Sequence, residues 1–230
     1  MKTIYYYQTF VGLDKLMSHI QDIDVIIISS IHFDKVNGNP QIYLNDNLPN
    51  SDKFYNLWNE TQNCSVQGVT IMLMVGGAGG AYQELFNDFE ANYSQLRDLL
   101  REKTWIQGID LDIEESTKME DIQKLMDRLM RDFGDDFIIT MAPVAPTLMN
   151  DGGSMAGFNY KQLYKSPQGR FIRWFNTQCY DSFSYDTYNA IVKNGYPAEK
   201  IVMGMESGQF DEKSFKNALD EVKQIQNVYP

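Results

Sequence analysis

Residues 105–115 read W-I-Q-G-I-D-L-D-I-E-E, with Asp110, Asp112 and Glu114 at every second position and Ile109, Leu111 and Ile113 between them. Side chains alternate faces along a β-strand, so the stretch reads as a strand with three carboxylates on one face and hydrocarbon on the other. Three like charges roughly 6–7 Å apart in a restricted space cannot all ionise freely, and at least one pKa must rise. A carboxylic acid that keeps its proton near neutral pH is what a general acid for glycosidic cleavage needs. In that arrangement the two deeper acids hold the proton balance and Glu114, the outermost, delivers a proton. Two other readings fit the same residues. Carboxylates in a row suit Mg²⁺ or Mn²⁺, although the two histidines, His19 and His32, fall in no metal-like cluster. A solvated acidic face on an edge strand is the third; the mid-chain position and the unbroken apolar face opposite weigh against it.

Something must hold this strand with its acids turned inward. Short apolar, β-branched runs at 3–10, 24–31, 69–75, 106–113, 137–142, 172–180 and 200–205 predict seven buried strands. Helical patterns lie between them. Thr117-Lys118-Met119-Glu120 has the form of a capping box, and Met119, Ile122, Leu125, Met126, Leu129, Met130 and Phe133 follow at helical spacing as a core-facing stripe. Residues 81–103 predict one helix around Leu85, Phe89, Leu96, Leu99 and Leu100. Phe215, Ala218, Leu219, Val222 and Ile225 mark a last one. Strand–helix alternation implies an α/β fold with a parallel sheet, either doubly wound or a (β/α)8 barrel. The chain stops at Pro230, after the helix that would precede an eighth strand, so the expectation is a barrel short of that strand. In a barrel the acidic face would point inward, with Glu114 at the carboxyl end where barrel sites are built. Segments 32–56 and 144–160 predict long loops. No linker, repeat or low-complexity tract breaks the chain, which reads as a single domain over 1–230.

Composition narrows the functions. The 230 residues carry a net charge of -11, which disfavours nucleic acid and anionic membranes as partners and is compatible with a neutral sugar. The two cysteines, Cys64 and Cys179, predict buried free thiols rather than a disulfide scaffold. No run reaches the ~18 apolar residues of a membrane span. The start, M-K-T-I-Y-Y-Y-Q, lacks the form of a secretory signal, which makes an intracellular location the default expectation.

Gln107-Gly108-Ile109-Asp110-Leu111-Asp112-Ile113-Glu114 resembles the D-G-x-D-x-D-x-E signature on the fourth strand of glycoside hydrolase family 18 barrels, with Gln107 in place of the first Asp. Strand parity puts position 107 on the face opposite the other acids. Further segments are similar to that family's. Leu73-Met74-Val75-Gly76-Gly77-Ala78-Gly79-Gly80 looks like its third-strand S-x-G-G motif, with Met74 where serine is usual. Gln178-Cys179-Tyr180-Asp181 resembles a sixth-strand Q-x-Y-[ND] element, and Tyr6 or its neighbour Tyr5 resembles the first-strand tyrosine. Met141-Ala142-Pro143 and Gly204-Met205-Glu206 look like strands five and seven. The single-barrel plant-type and microbial chitinases are nearest in pattern. The family's eighth-strand tryptophan, which floors a sugar subsite, has no counterpart; Trp58, Trp105 and Trp174 are expected to pack within the fold.

The resemblance implies hydrolysis of β-1,4-linked N-acetylglucosamine polymers by substrate-assisted retention, outside the ordinary two-carboxylate scheme. Glu114 would be acid and base, Asp112 would orient the 2-acetamido group, and Asp110 would share a proton with Asp112. Tyr180 would donate to the acetamido oxygen. Tyr6, Gly76, Gly77, Met141, Gln178, Asp181 and Glu206 would shape the substrate pocket. No metal or cofactor is implied, the partner is an N-acetylglucosamine oligosaccharide, and a monomer is expected. An endo-β-N-acetylglucosaminidase acting on N-glycans or a peptidoglycan-type substrate fits the same motif. So does a non-catalytic carbohydrate binder, although such members usually lack the glutamate that Glu114 supplies.

Overall fold

The computed structural model describes residues 2–206, 208 and 211–230. Met1, the first residue of the stretch read above as free of a secretory signal, lies outside them, as do Ser207, Gln209 and Phe210. In chain order the elements are β1 (Ile4–Tyr7), α1 (Asp14–Met17), β2 (Val25–Val36), β3 (Asn39–Leu44), α2 (Tyr55–Val66) and β4 (Thr70–Gly76). Then come α3 (Tyr82–Asn87), α4 (Phe89–Glu102), β5 (Ile106–Asp112), α5 (Met119–Phe133), β6 (Ile138–Met141) and α6 (Ala145–Asn150). The chain finishes with α7 (Tyr160–Lys165), β7 (Ile172–Gln178), α8 (Tyr185–Lys193), β8 (Ile201–Gly204) and α9 (Glu212–Val228).

The strands pair in the order β1-β2-β4-β5-β6-β7-β8, all parallel, and β3 adds to β2 in antiparallel fashion. Alternation along each strand produces two apolar layers. Ile109, Leu111 and Ile113 join the large outer core with Ile122, Leu125, Met126 and Leu129 of α5. A small inner cluster holds Val25, Ile27, Met72, Met74 and Trp174, with Tyr6 and Val202 packed against it. The sheet is thus the curled wall of a (β/α) barrel short of one strand, as the sequence predicts. Among the described residues β1 and β8 are its two edges. A cavity of about 580 Å³ lies at that seam, lined by Val202, Met203, Val222 and Ile225 on one side and by Lys2 and Asp24 on the other.

The last helix is only partly covered. Ala218 and Ile225 of its expected apolar face are buried, whereas Phe215 is 53% and Leu219 44% exposed. Both cysteines are buried and free. Four local expectations need correction. Segment 32–56 is no loop: β2 and β3 form a hairpin through Asn37-Gly38, with φ of 52° and 78° at the two turn positions. An Asn-Gly pair is the usual choice for such a turn, because both central residues need positive φ. The 81–103 stretch breaks at Asp88 into α3 and α4. Segment 144–160 contains α6. The capping box at Thr117 does not form: α5 starts one residue later, with Lys118 at the N-cap and no side-chain cap bond. The Thr117 N–H donates instead to the Ala156 carbonyl at 2.9 Å.

Candidate active site

The acidic face of β5 points into the barrel. Asp110 is fully buried and Asp112 is 7% exposed. Asp110 is enclosed by donors. Tyr6 OH donates to its Oδ2 at 2.6 Å, the Thr140 hydroxyl to its Oδ1 at 2.5 Å, and Asn176 Nδ2 to the same Oδ1 at 3.0 Å. Asn176 is itself oriented by Trp174, whose indole N–H donates to Asn176 Oδ1 at 2.8 Å. Burial pushes the Asp110 carboxyl upward, and these donors pull it back. Strand register explains the convergence: Asp110 pairs with Thr140 on β6, while Trp174, Asn176 and Gln178 share one face of β7.

Asp112, one step nearer the open end, is held differently. Gln178 Nε2 donates to its Oδ1 at 3.0 Å and to the Ala142 carbonyl at 2.8 Å. Burial, then the charges of Asp110 and Glu114, raise the Asp112 carboxyl to about 8. It therefore keeps a proton at neutral pH. Among the described residues the two acids share no direct hydrogen bond, so their coupling runs through charge. Gly76 and Gly77 lie against Asp112. The Gly77 N–H donates to the Asp112 backbone carbonyl at 2.9 Å. A Cβ at Gly76 would fall 2.2 Å from that carbonyl oxygen, and one at Gly77 would meet Met74 Cε at 2.9 Å. Met74 thus fills the inner layer beneath the glycine turn.

Glu114 follows the end of β5 and is partly exposed. Tyr180, 49% exposed, follows the end of β7. Its hydroxyl is pushed up to about 12 by burial, with further upward contributions from Asp112, Glu114 and Glu206. It is therefore a donor throughout the neutral range. Glu206 follows the end of β8, and Asp181 is exposed on the turn that follows β7. Two tyrosines of the outer core add to the surroundings. Tyr82 and Tyr160 are buried, and burial together with the two aspartate charges holds both phenols well above their ordinary range.

Met141 is the expected site residue that the structure does not bring here. It is fully buried in the outer core, because strand parity turns it toward the helices and Thr140 toward Asp110. Gln107 is exposed, on the face away from the acids. Among the described residues no group of three His, Cys, Asp or Glu is arranged to hold a metal ion.

The sequence model of glycosyl hydrolases family 18 matches residues 2–227. The chain belongs to that family. Two solved structures align over nearly all of it. A chitinase, ChiC, from Aspergillus fumigatus is 33% identical with a TM-score of 0.87, covering 98% of this chain and 88% of the other. A fungal endo-beta-N-acetylglucosaminidase of the same family is 33% identical with a TM-score of 0.85, covering 97% and 86%. A curated relative, Chitinase 2 of Rhizopus oligosporus, is 24% identical over 204 residues, which is 78% of this chain and 35% of that protein. The chain thus spans about a third of the length of that curated relative.

Several residues of this family 18 site escaped sequence reasoning. Thr140, Asn176 and Trp174 were legible in principle, as polar or bulky residues on the inward parity of strands otherwise apolar. Gly108 has a structural cause: a Cβ there would fall 2.4 Å from the Ile138 carbonyl oxygen, so the motif glycine lets β5 and β6 approach. The alternative between Tyr5 and Tyr6 resolves to Tyr6, since Tyr5 packs against the outer core.

Proposed function

We propose that this family 18 chain is a glycoside hydrolase that cleaves β-1,4 linkages between N-acetylglucosamine units of chitin or its oligosaccharides, with residues 1–230 as one catalytic unit. The reading rests on one arrangement: a partly exposed carboxylic acid, Glu114, at the mouth of a barrel whose next inward acid, Asp112, is protonated at neutral pH. Glu114 gives its proton to the glycosidic oxygen as the C1–O bond breaks. The carbonyl oxygen of the substrate's own 2-acetamido group attacks C1 and forms an oxazolinium ion. Asp112 accepts a hydrogen bond from the acetamido N–H, and the coupled Asp110–Asp112 pair places negative charge against the cation. The Tyr180 hydroxyl, held protonated, donates to the acetamido oxygen. Water then attacks C1 with Glu114 taking its proton, the bond from C1 to the acetamido oxygen breaks and the 2-acetamido group is restored, so the anomeric configuration is retained. Gln178, Gly76 and Gly77 fix the Asp112 carboxyl group that this step uses, and Tyr6 fixes Asp110 below it. Asp181 and Glu206 would reach substrate only beyond the reacting sugar.

A second reading, cleavage within the core of N-glycans, is favoured by the likeness to the fungal endo-beta-N-acetylglucosaminidase. The deciding assay is fluorophore release from a chitotriose glycoside and deglycosylation of a high-mannose glycoprotein, over pH 4 to 8, by wild type and Glu114→Gln. Release from chitotriose by wild type alone supports the first reading, and glycoprotein cleavage alone supports the second. A general acid typically contributes 10²–10⁴-fold, so near-wild-type turnover by Glu114→Gln would remove the mechanism. Oligosaccharide binding without turnover would identify a carbohydrate binder.

A further inference from the structure

Glu115 follows Glu114, yet parity sends its side chain the other way, out of the barrel and toward the loop that leaves β4. Its Oε1 accepts from the backbone N–H of Ala81 and, at 2.6 Å, from that of Tyr82; its Oε2 accepts from Gln83 N–H at 3.3 Å. These are the opening amides of α3, whose N-cap, Ala81, has no side chain with which to cap them. A carboxylate just past the end of β5 thus caps α3, the helix that follows the neighbouring strand β4. Charge-assisted bonds to backbone amides are about twice as strong as neutral ones.

The tethered loop is the glycine turn of the site. Gly76, Gly77, Gly79 and Gly80 all have positive φ, so the loop's own backbone preferences hold it weakly. It is fastened from outside at both ends. At its start the Gly77 N–H donates to the Asp112 carbonyl at 2.9 Å. At its end Gly80 fits against the Glu115 carboxylate, which a Cβ would meet at 2.9 Å. On the far side the Gly80 carbonyl accepts from His32 Nδ1 at 2.8 Å, and His32 Nε2 faces the Ser30 hydroxyl at 2.7 Å. The carbonyl can only accept, so Nδ1 carries a proton there. The other flank of the β5 end is also fixed: a Cβ at Gly157 would meet Ser116 Oγ at 2.6 Å, and Thr117 N–H reaches the Ala156 carbonyl.

We infer that Glu115 is a positioning residue for the reaction proposed above: its carboxylate clamps residues 80–83 to the end of β5 and thereby holds the adjacent Glu114 at its working position. The inference rests on that functional reading for its kinetic consequence and on geometry alone for the clamp. A misplacement of about 1 Å at a reacting group can cost about 10²-fold in rate. Replacing the anchor should therefore lower kcat and leave KM nearly unchanged, since the sugar-binding surface is formed by other residues.

The experiment compares wild type, Glu115→Gln and Glu115→Ala on the chitotriose glycoside, with amide hydrogen exchange measured on all three. Expected are a kcat loss of at least tenfold in Glu115→Ala with KM within about threefold, and partial rescue in Glu115→Gln, which keeps one acceptor oxygen. Exchange should accelerate at residues 80–83 and 113–116 together in the Ala variant. Unchanged kcat, or equal losses in kcat for Gln and Ala with no change in exchange, would overturn the assignment. If Glu115→Ala does not fold, the Gln variant decides by the same two readouts. If wild type turns over no substrate, the functional reading fails on its own. Hydrogen exchange then still decides whether the clamp exists.

Discussion

The proton held by Asp112 makes a stability prediction that can be measured without substrate. In the folded chain burial and the neighbouring acids raise this carboxyl to about 8, and in the unfolded chain an aspartate ionises near ~3.9. Between those two values folding takes up a proton. Stability conferred by the protonated form is complete below about pH 4 and is lost as pH rises toward 8. At roughly 1.36 kcal/mol per pH unit, the interval from ~3.9 to pH 7 amounts to about 4 kcal/mol opposing the folded state at neutrality. Asp112→Asn removes the titration while keeping an oxygen for Gln178 to donate to. The variant should match wild type near pH 4 and exceed it by about 4 kcal/mol at pH 7. Urea unfolding at pH 4, 5, 6, 7 and 8, followed by tryptophan fluorescence and far-UV circular dichroism together at fixed salt, reads this directly. The wild-type curve should fall more steeply, by up to one proton's slope. Parallel curves for the two proteins would show that Asp112 ionises in the fold as it does in water, and the proposed proton balance would be wrong. The same substitution should greatly slow turnover, because an asparagine can neither share a proton with Asp110 nor release one as the oxazolinium ion forms.

Other substitutions separate support from chemistry. Tyr6→Phe removes a donor from buried Asp110 and should cost about 1–3 kcal/mol in urea unfolding, more above pH 7 than below pH 5. Tyr180→Phe, at an exposed position, should leave the melting temperature within about a degree or two and cut kcat; unchanged kcat would exclude its hydroxyl from the reaction. Gly108→Ala forces β5 and β6 apart and should destabilise by about 1–3 kcal/mol as an overpacked contact. An Ala variant of wild-type stability would mean that the strands have slack.

The barrel was legible because its signal is repeated. Each apolar run alternates with a helical stripe, and parallel pairing follows from that order. The acidic strand was legible for the same reason: parity assigns Asp110, Asp112 and Glu114 to one face without knowledge of neighbours. The residues around them were harder, because Thr140 and Asn176 acquire meaning only when register sets them beside Asp110. Met141 was misplaced by one position, which on a strand means the opposite face. The Asn37-Gly38 dipeptide is a strong turn signal, but the polar composition of 32–56 around it has the character of a loop. The helix start at Met119 was off by one residue because a tertiary contact, Thr117 to Ala156, took the amide that the capping box would have used.

The strand order bears on how the chain folds. Among the described residues the parallel strands β1, β2, β4, β5, β6, β7 and β8 pair in the order in which they are synthesised. Each new parallel strand needs only the parallel strand before it and a loop closure of moderate length, so these pairings have low sequence separation. Assembly can then proceed from the N-terminus as a zipper, with a growing edge that passes from β2 to β4 and on to β8 as the chain emerges. Asp110 marks a stage in that order. Its donors come from β1, β6 and β7, so the buried acid stays only partly satisfied until the zipper has passed β7.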